Sequence, residues 1–143
     1  MEAKNTRTVR AVRPDNAVAT RQRLPYFIGI SGATAGSTGL SMHLIAIPPG
    51  GRSEPHWHQQ HETAIYVLEG RVETRYGPDL ASSVISEPGD FLFIPPGEPH
   101  VAINLSEIEP ARAIVARNDA AEQDNVVPYP DPAADTGTEP GTP

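Results

Sequence analysis

Between residues 25 and 116 the chain is cut into short runs rich in Val, Ile, Phe and Tyr, at 25–30, 39–47, 63–68, 71–76, 82–85, 91–94, 100–104 and 111–116. Runs of this length and composition favour strands. No amphipathic stretch of helical length competes with them. Corners fall between them where Gly and Pro cluster: Pro-Pro-Gly-Gly at 48–51, Glu-Gly at 69–70, Tyr-Gly-Pro-Asp at 76–79, Glu-Pro-Gly-Asp at 87–90 and Pro-Pro-Gly-Glu-Pro at 95–99. Such residues set the backbone angles of tight turns. Regularly spaced short strands with turn signals predict an all-β fold, an antiparallel barrel or two-sheet sandwich of the jelly-roll kind. No internal repeat is visible, so one barrel is expected.

The two ends differ from this middle. Six of the eleven basic residues, Lys4, Arg7, Arg10, Arg13, Arg21 and Arg23, precede Leu24, so residues 1–24 read as a basic arm and 25–117 as the barrel. Residues 118–143 carry five prolines, six acidic residues and no Lys or Arg, the composition of a tail that buries little apolar surface by itself. Val126, Val127 and Tyr129 are its residues suited to docking. The formal charge of −7 argues against a nucleic-acid surface. Apolar runs of four to five residues, such as 64–68, fall far short of the roughly 20 that cross a bilayer, and the first residues lack the apolar core of a signal peptide. The expectation is a cytoplasmic protein without nucleic-acid or membrane partners.

With no cysteine, a metal would have to be held by nitrogen and oxygen, which turns attention to the five histidines. His56 and His58 lie two apart, and in a strand such residues face one side, so both imidazoles can reach a single point. His61 follows closely. His100 begins a run just after the 95–99 corner. Four of five histidines beside two corners predict a divalent metal site. No rival nucleophile competes: Ser31, Ser53, Ser82 and Ser83 lack a glycine-elbow setting. The glycine-rich segment 32–39 lacks the Lys-Ser/Thr ending and the following helix of a phosphate loop, and reads as a flexible loop at a barrel mouth. Trp57, between two candidate ligands, is expected to face away from them.

Gly89, Pro95, Gly97, His100 and Asn104 meet the second motif of the cupin family at every position, and Gly50, His56, His58 and Gly70 meet the first. The chain therefore resembles a single-domain cupin over about two thirds of its length. The first motif also expects a glutamate, and counting back from Gly70 puts Thr63 in its place. A shift of one residue along a strand turns a side chain to the opposite face, so Glu62 is expected to point away unless a bulge intervenes. His61 shares the parity of Thr63. Three ligand sets stay open: four histidines (His56, His58, His61, His100), three histidines with Glu62, or three histidines alone. His43, in the run 39–47, is a further candidate for the barrel lining. An all-imidazole site suits zinc first, with Fe²⁺ or Ni²⁺ as alternatives.

Gly-Leu-Ser-Met-His at 39–43, His-Glu-Thr-Ala-Ile-Tyr-Val-Leu-Glu-Gly at 61–70 and Val-Ala-Arg-Asn-Asp at 115–119 further resemble small actinomycete cupins that include aromatic polyketide cyclases of the resistomycin type. That resemblance implies a poly-β-keto substrate, free or attached to a carrier protein, cyclised by enolisation, aldol-type condensation and loss of water. It implies proton transfers carried by a metal-bound water, and a pocket drawn from His43, Ile45, Thr63, Ile65 and Val67 that folds the chain and excludes solvent. It also implies a homodimer. Fold does not select an activity, and an iron-dependent dioxygenase or a non-enzymatic ligand-binding cupin are the alternatives.

Overall fold

The structure, a computed structural model, describes residues 8–13, 18–19, 25–121 and 125–130. Among the described residues eleven strands run in the order β1 (Val18–Ala19), β2 (Pro25–Ile30), β3 (Ser41–Ile47), β4 (His56–Trp57), β5 (Thr63–Glu69), β6 (Val72–Tyr76), β7 (Ser82–Ser86), β8 (Phe91–Ile94), β9 (His100–Asn104), β10 (Ala111–Arg117) and β11 (Val127–Pro128). They form two antiparallel sheets, β1-β2-β3-β10-β5-β8 and β11-β4-β9-β6-β7. This is the expected jelly-roll sandwich. No described helix is long and apolar enough to cross a membrane.

Alternation decides which side chains face inward. In β10, Ala111, Ala113, Val115 and Arg117 are buried while the residues between them are partly exposed. In β5, Thr63 and Val67 are buried and Ala64, Tyr66 and Leu68 exposed. The inward rows meet between the sheets, where Ile47, Val72 and Ala111 form a buried cluster with Ile45 and Ala102 packed against it. The chain passes from one sheet to the other at Gly70, between β5 and β6, with φ of +91°. A Cβ there would lie 2.7 Å from the Ala111 Cβ, so a side chain is excluded twice, by backbone angle and by space.

Two segments depart from the expectation drawn from sequence, and a third, in the tail, docks through the residues expected to do so. Within the glycine-rich stretch, Gly32–Ala35 forms one helical turn: Ser31 Oγ accepts from the Thr34 N–H at 3.2 Å and Thr34 Oγ1 accepts from the Ser31 N–H at 2.9 Å. This reciprocal cap outweighs the glycines. The strand β4 has only two residues, and it exists because β9 and β11 flank it. Beyond Asn118, Val126 is buried, Tyr129 donates its N–H to the Pro55 carbonyl at 3.1 Å, and the Tyr129 ring meets Trp57 edge-on at 5.3 Å. Residues 131–143 of the tail, and Lys4, Arg7, Arg21 and Arg23 of the arm, lie outside the described residues. Arg10 donates to the Thr34 carbonyl at 3.4 Å.

Asn104 closes the motif that ends β9. It is buried, its Nδ2 donates to the carbonyls of Ile47, Pro48 and Glu109 at 2.8–3.2 Å, and its Oδ1 accepts from the Ser106 N–H. One side chain thus ties the end of β3 and the loop after it to the loop that follows β9. Asn104→Ala leaves those carbonyls without this donor and is expected to lower stability by about 2–3 kcal/mol. A urea midpoint that falls at unchanged slope checks this; an unmoved midpoint refutes it.

Candidate metal centre

His56 on β4 and His100 on β9 are directly opposite each other in the antiparallel ladder. Their rings lie 4.3 Å apart between centroids, and the His58 ring lies 5.3 Å from that of His56 and 6.1 Å from that of His100. All three are buried, and one nitrogen from each lies within 4.8 Å of the others. They are the one such group found among the described residues.

The tautomers follow from the backbone. His56 Nδ1 is 2.8 Å from the Glu54 carbonyl and His100 Nδ1 is 2.9 Å from the Glu98 carbonyl. A carbonyl has no proton to give, so each Nδ1 carries the hydrogen and each Nε2 keeps its lone pair. This is the arrangement that orients a histidine for a metal. Both ring nitrogens of His58 are buried without a hydrogen-bond partner, an arrangement that is costly unless something else engages them. The three residues fit a divalent cation.

Charge supports the same fit, because imidazole binds metal in its neutral form. Burial pushes the His58 pKa down to about 2, with the Arg117 charge adding to it. Burial likewise holds His56 well below the usual range, helped by His100, and brings His100 to about 4 against the opposing Glu98 hydrogen bond. His43 is buried on β3, accepts from the Gly29 N–H at 3.3 Å, and is lowered to about 4 by burial and then by Arg117.

The other sequence candidates are placed as follows. His61 is a quarter exposed and its Nδ1 lies 3.5 Å from Asp119 Oδ2, outside the group of three. The parity it would share with Thr63 needs extended chain through both, and β5 begins only at Thr63. Glu62 is exposed, and its backbone N–H donates to Asn118 Oδ1 at 2.9 Å. Thr63 is buried, and its Oγ1 accepts from Arg117 Nε at 2.8 Å. Ile45, Ile65 and Val67 line a cavity of about 60 Å³ that also touches His56 and His100. His43, His58 and Thr63 are not among its lining residues.

Arg117 lines this cavity too, and sequence reading did not single it out as a site residue. The signal was present: it shares the parity of Ala111, Ala113 and Val115 in an alternating strand, so it had to face inward.

Residues 43–117 match the cupin domain family. Germin-like protein subfamily T member 3 of Arabidopsis thaliana is 36% identical over 101 residues, 67% of this chain and 41% of that protein. The polyketide cyclase RemF of Streptomyces resistomycificus superposes with a TM-score of 0.69 at 25% identity, over 92% of this chain and 95% of RemF. The oxalate decarboxylase of Lactobacillus farciminis, solved with formate, superposes with a TM-score of 0.61 at 21% identity, over 76% of this chain and 31% of that one. The chain thus spans less than half the length of the germin-like protein and about a third of the decarboxylase.

The buried histidines make stability depend on pH. An unfolded histidine protonates near pH 6.5, whereas folded His43 stays neutral until about pH 4. Between those values the unfolded state binds more protons, so metal-free protein loses stability as the pH falls from about 6.5 to about 4 and changes little above it. His43 alone accounts for a loss on the order of 3 kcal/mol. Urea unfolding of metal-free protein at pH 7.5 and 4.5 measures this; equal stability at both would refute it.

Proposed function

This chain belongs to the cupin domain family, and from that premise we propose that it is a metal-dependent cyclase of poly-β-keto substrates. The observation that carries the reading is a triad of neutral, buried imidazoles beside a largely apolar cavity. The likeness to a polyketide cyclase over nearly the whole of both chains adds support. His56, His58 and His100 would hold the ion, for which zinc is the proposed identity. His61 is proposed as the fourth donor in preference to Glu62: its Nδ1 is buried without a hydrogen-bond partner, whereas Glu62 is exposed.

When bound, a divalent cation supplies Lewis acidity toward a carbonyl oxygen. The chain supplies the rest. The Glu54 and Glu98 carbonyls fix the rings of His56 and His100, and the low pKa values of the triad keep it from acting as a proton carrier near neutral pH. Ile45, Ile65, Val67, Leu92 and Val115 wall the cavity, so a flexible chain folded against them loses solvent and alternative registers together. In the overall reaction a methylene C–H is broken, a carbon–carbon bond to a ketone carbon forms, and water leaves.

A homodimer is proposed through the outer face of the larger sheet. Phe91 and Phe93 are 71% and 60% exposed, and the ladder places them beside Tyr66 and Ala64, which face away from the cavity. Met42 and Leu68 are exposed as well. An apolar sheet face of this kind is a candidate for burial by a second copy.

Metal analysis of protein isolated without chelators is expected to find one zinc ion per chain. His58→Ala is expected to weaken metal binding by more than about a hundredfold and to abolish ring formation from a synthetic poly-β-keto thioester. Oxygen uptake by the metal-loaded protein, or metal content unchanged in His58→Ala, would overturn the cyclase reading. For the dimer, Phe91→Asp with Phe93→Asp is expected to halve the mass measured by light scattering, and an unchanged mass argues against this face.

A further inference from the structure

The cavity against the histidine triad holds about 60 Å³, the space of a few water molecules. It admits one short segment of a ligand, so the remainder of a larger one has to lie elsewhere. A second cavity, of about 310 Å³, shares Thr74, Leu92 and His100 with it. That volume is at the scale of small-molecule sites, which run from about 300 Å³ upward. This cleft lies where the edge strands of the two sheets meet, with Val84 lining it from β7 and Leu92 and Ile94 from β8. On β6, Thr74 and Tyr76 share one face by strand alternation, Thr74 opposite Val84 and Tyr76 opposite His100. The wall is therefore aliphatic and aromatic, and His100 stands at the junction of the two spaces.

Glu98 supplies the charge in this lining, to which no Lys, Arg or Asp belongs among the described residues. Its backbone carbonyl faces His100 Nδ1, while its Oε2 comes within 3.8 Å of the place a Cβ would take at Gly77, just beyond Tyr76. No hydrogen bond or ion pair to the Glu98 carboxylate is found among the described residues. We propose that this cleft holds the body of the substrate, an uncharged, ring-sized ligand bearing a hydroxyl or enol, and that Glu98 determines specificity by accepting the hydrogen of that group. The proposal rests on the cyclase reading for the substrate's identity, since a poly-β-keto chain is uncharged and its enol form carries an O–H. A carboxylate offers acceptors only, so it selects a donor and repels an anion. Apolar walls strengthen both effects by keeping water away.

Calorimetric titration of the full chain, zinc-loaded and metal-free, with 2-naphthol and with 2-naphthoate tests this near neutral pH. The two probes share a fused ring and differ in carrying a neutral hydroxyl or a carboxylate. Wild type is expected to bind 2-naphthol and to exclude 2-naphthoate. Val84→Trp fills the cleft from an exposed edge strand and is expected to weaken 2-naphthol about tenfold or more, with zinc affinity unaltered. Ser83→Trp places the same bulk on the opposite face of β7 and is expected to bind both zinc and 2-naphthol as wild type does. Glu98→Gln keeps the shape and the backbone carbonyl while removing the charge. It is expected to weaken 2-naphthol about tenfold and to admit 2-naphthoate, and it carries the test if Val84→Trp does not fold.

Equal 2-naphthol affinity in wild type and Val84→Trp overturns the cleft as the binding site. Continued exclusion of 2-naphthoate by Glu98→Gln overturns the role of Glu98, as does a preference for 2-naphthoate in wild type. Binding of 2-naphthol governed by Val84 and Glu98, in a protein that closes no ring in a poly-β-keto thioester, leaves the cleft standing while the cyclase reading falls.

Discussion

The antiparallel register that sets His56 opposite His100 is the constraint on which the site depends. It brings together two residues separated by more than forty positions, at a depth where water does not reach them. The two-residue strand that carries His56 is held from both sides, by β9 and by β11. The pairing also explains the tautomers. Each histidine turns its Nδ1 to the carbonyl two residues before it, and the two Nε2 atoms are left to converge. Backbone geometry thereby pre-organises a donor set before any ligand arrives, which keeps the ordering cost of binding low.

Burial then fixes the charge state. A solvent-exposed histidine would be partly protonated near neutral pH, whereas these are held neutral by desolvation, with Arg117 adding to the same effect. The electrostatic character of the cavity follows from which residues alternate inward on β5 and β10. Thr63 and Arg117 face each other across the register between these strands, and the pair puts a positive group where the motif elsewhere supplies a negative one. The polar groups at the wall are few, and the bond from Arg117 to Thr63 ties β10 to β5.

Corners give the strands their places. Gly70 lets the chain change sheets where Ala111 leaves no room for a side chain, and Asn104 binds the loops that follow β3 and β9. These are two of the motif positions outside the histidines. Their contribution is to hold the wall that the site is built on, and the distances from the Asn104 amide to three separate carbonyls give that role a physical form.

The sequence by itself determined the all-β class, the positions of the longer strands and the inward rows on β5 and β10, because two-residue alternation and Gly/Pro corners are local properties of the chain. It also marked His56, His58 and His100, whose spacing sits beside those corners. Tertiary structure decided what local pattern cannot carry. β4 is too short to announce itself and is made by its neighbours. His61 lies beyond the start of β5, so strand parity does not govern it, and Asp119 sits beside it instead. The cap on Gly32–Ala35 and the pairing of Val127–Pro128 are likewise contacts that glycine and proline content concealed. Arg117 could be assigned an inward face from its strand, but its partner Thr63 lies 54 residues away, and only the folded ladder brings the two into hydrogen-bond distance.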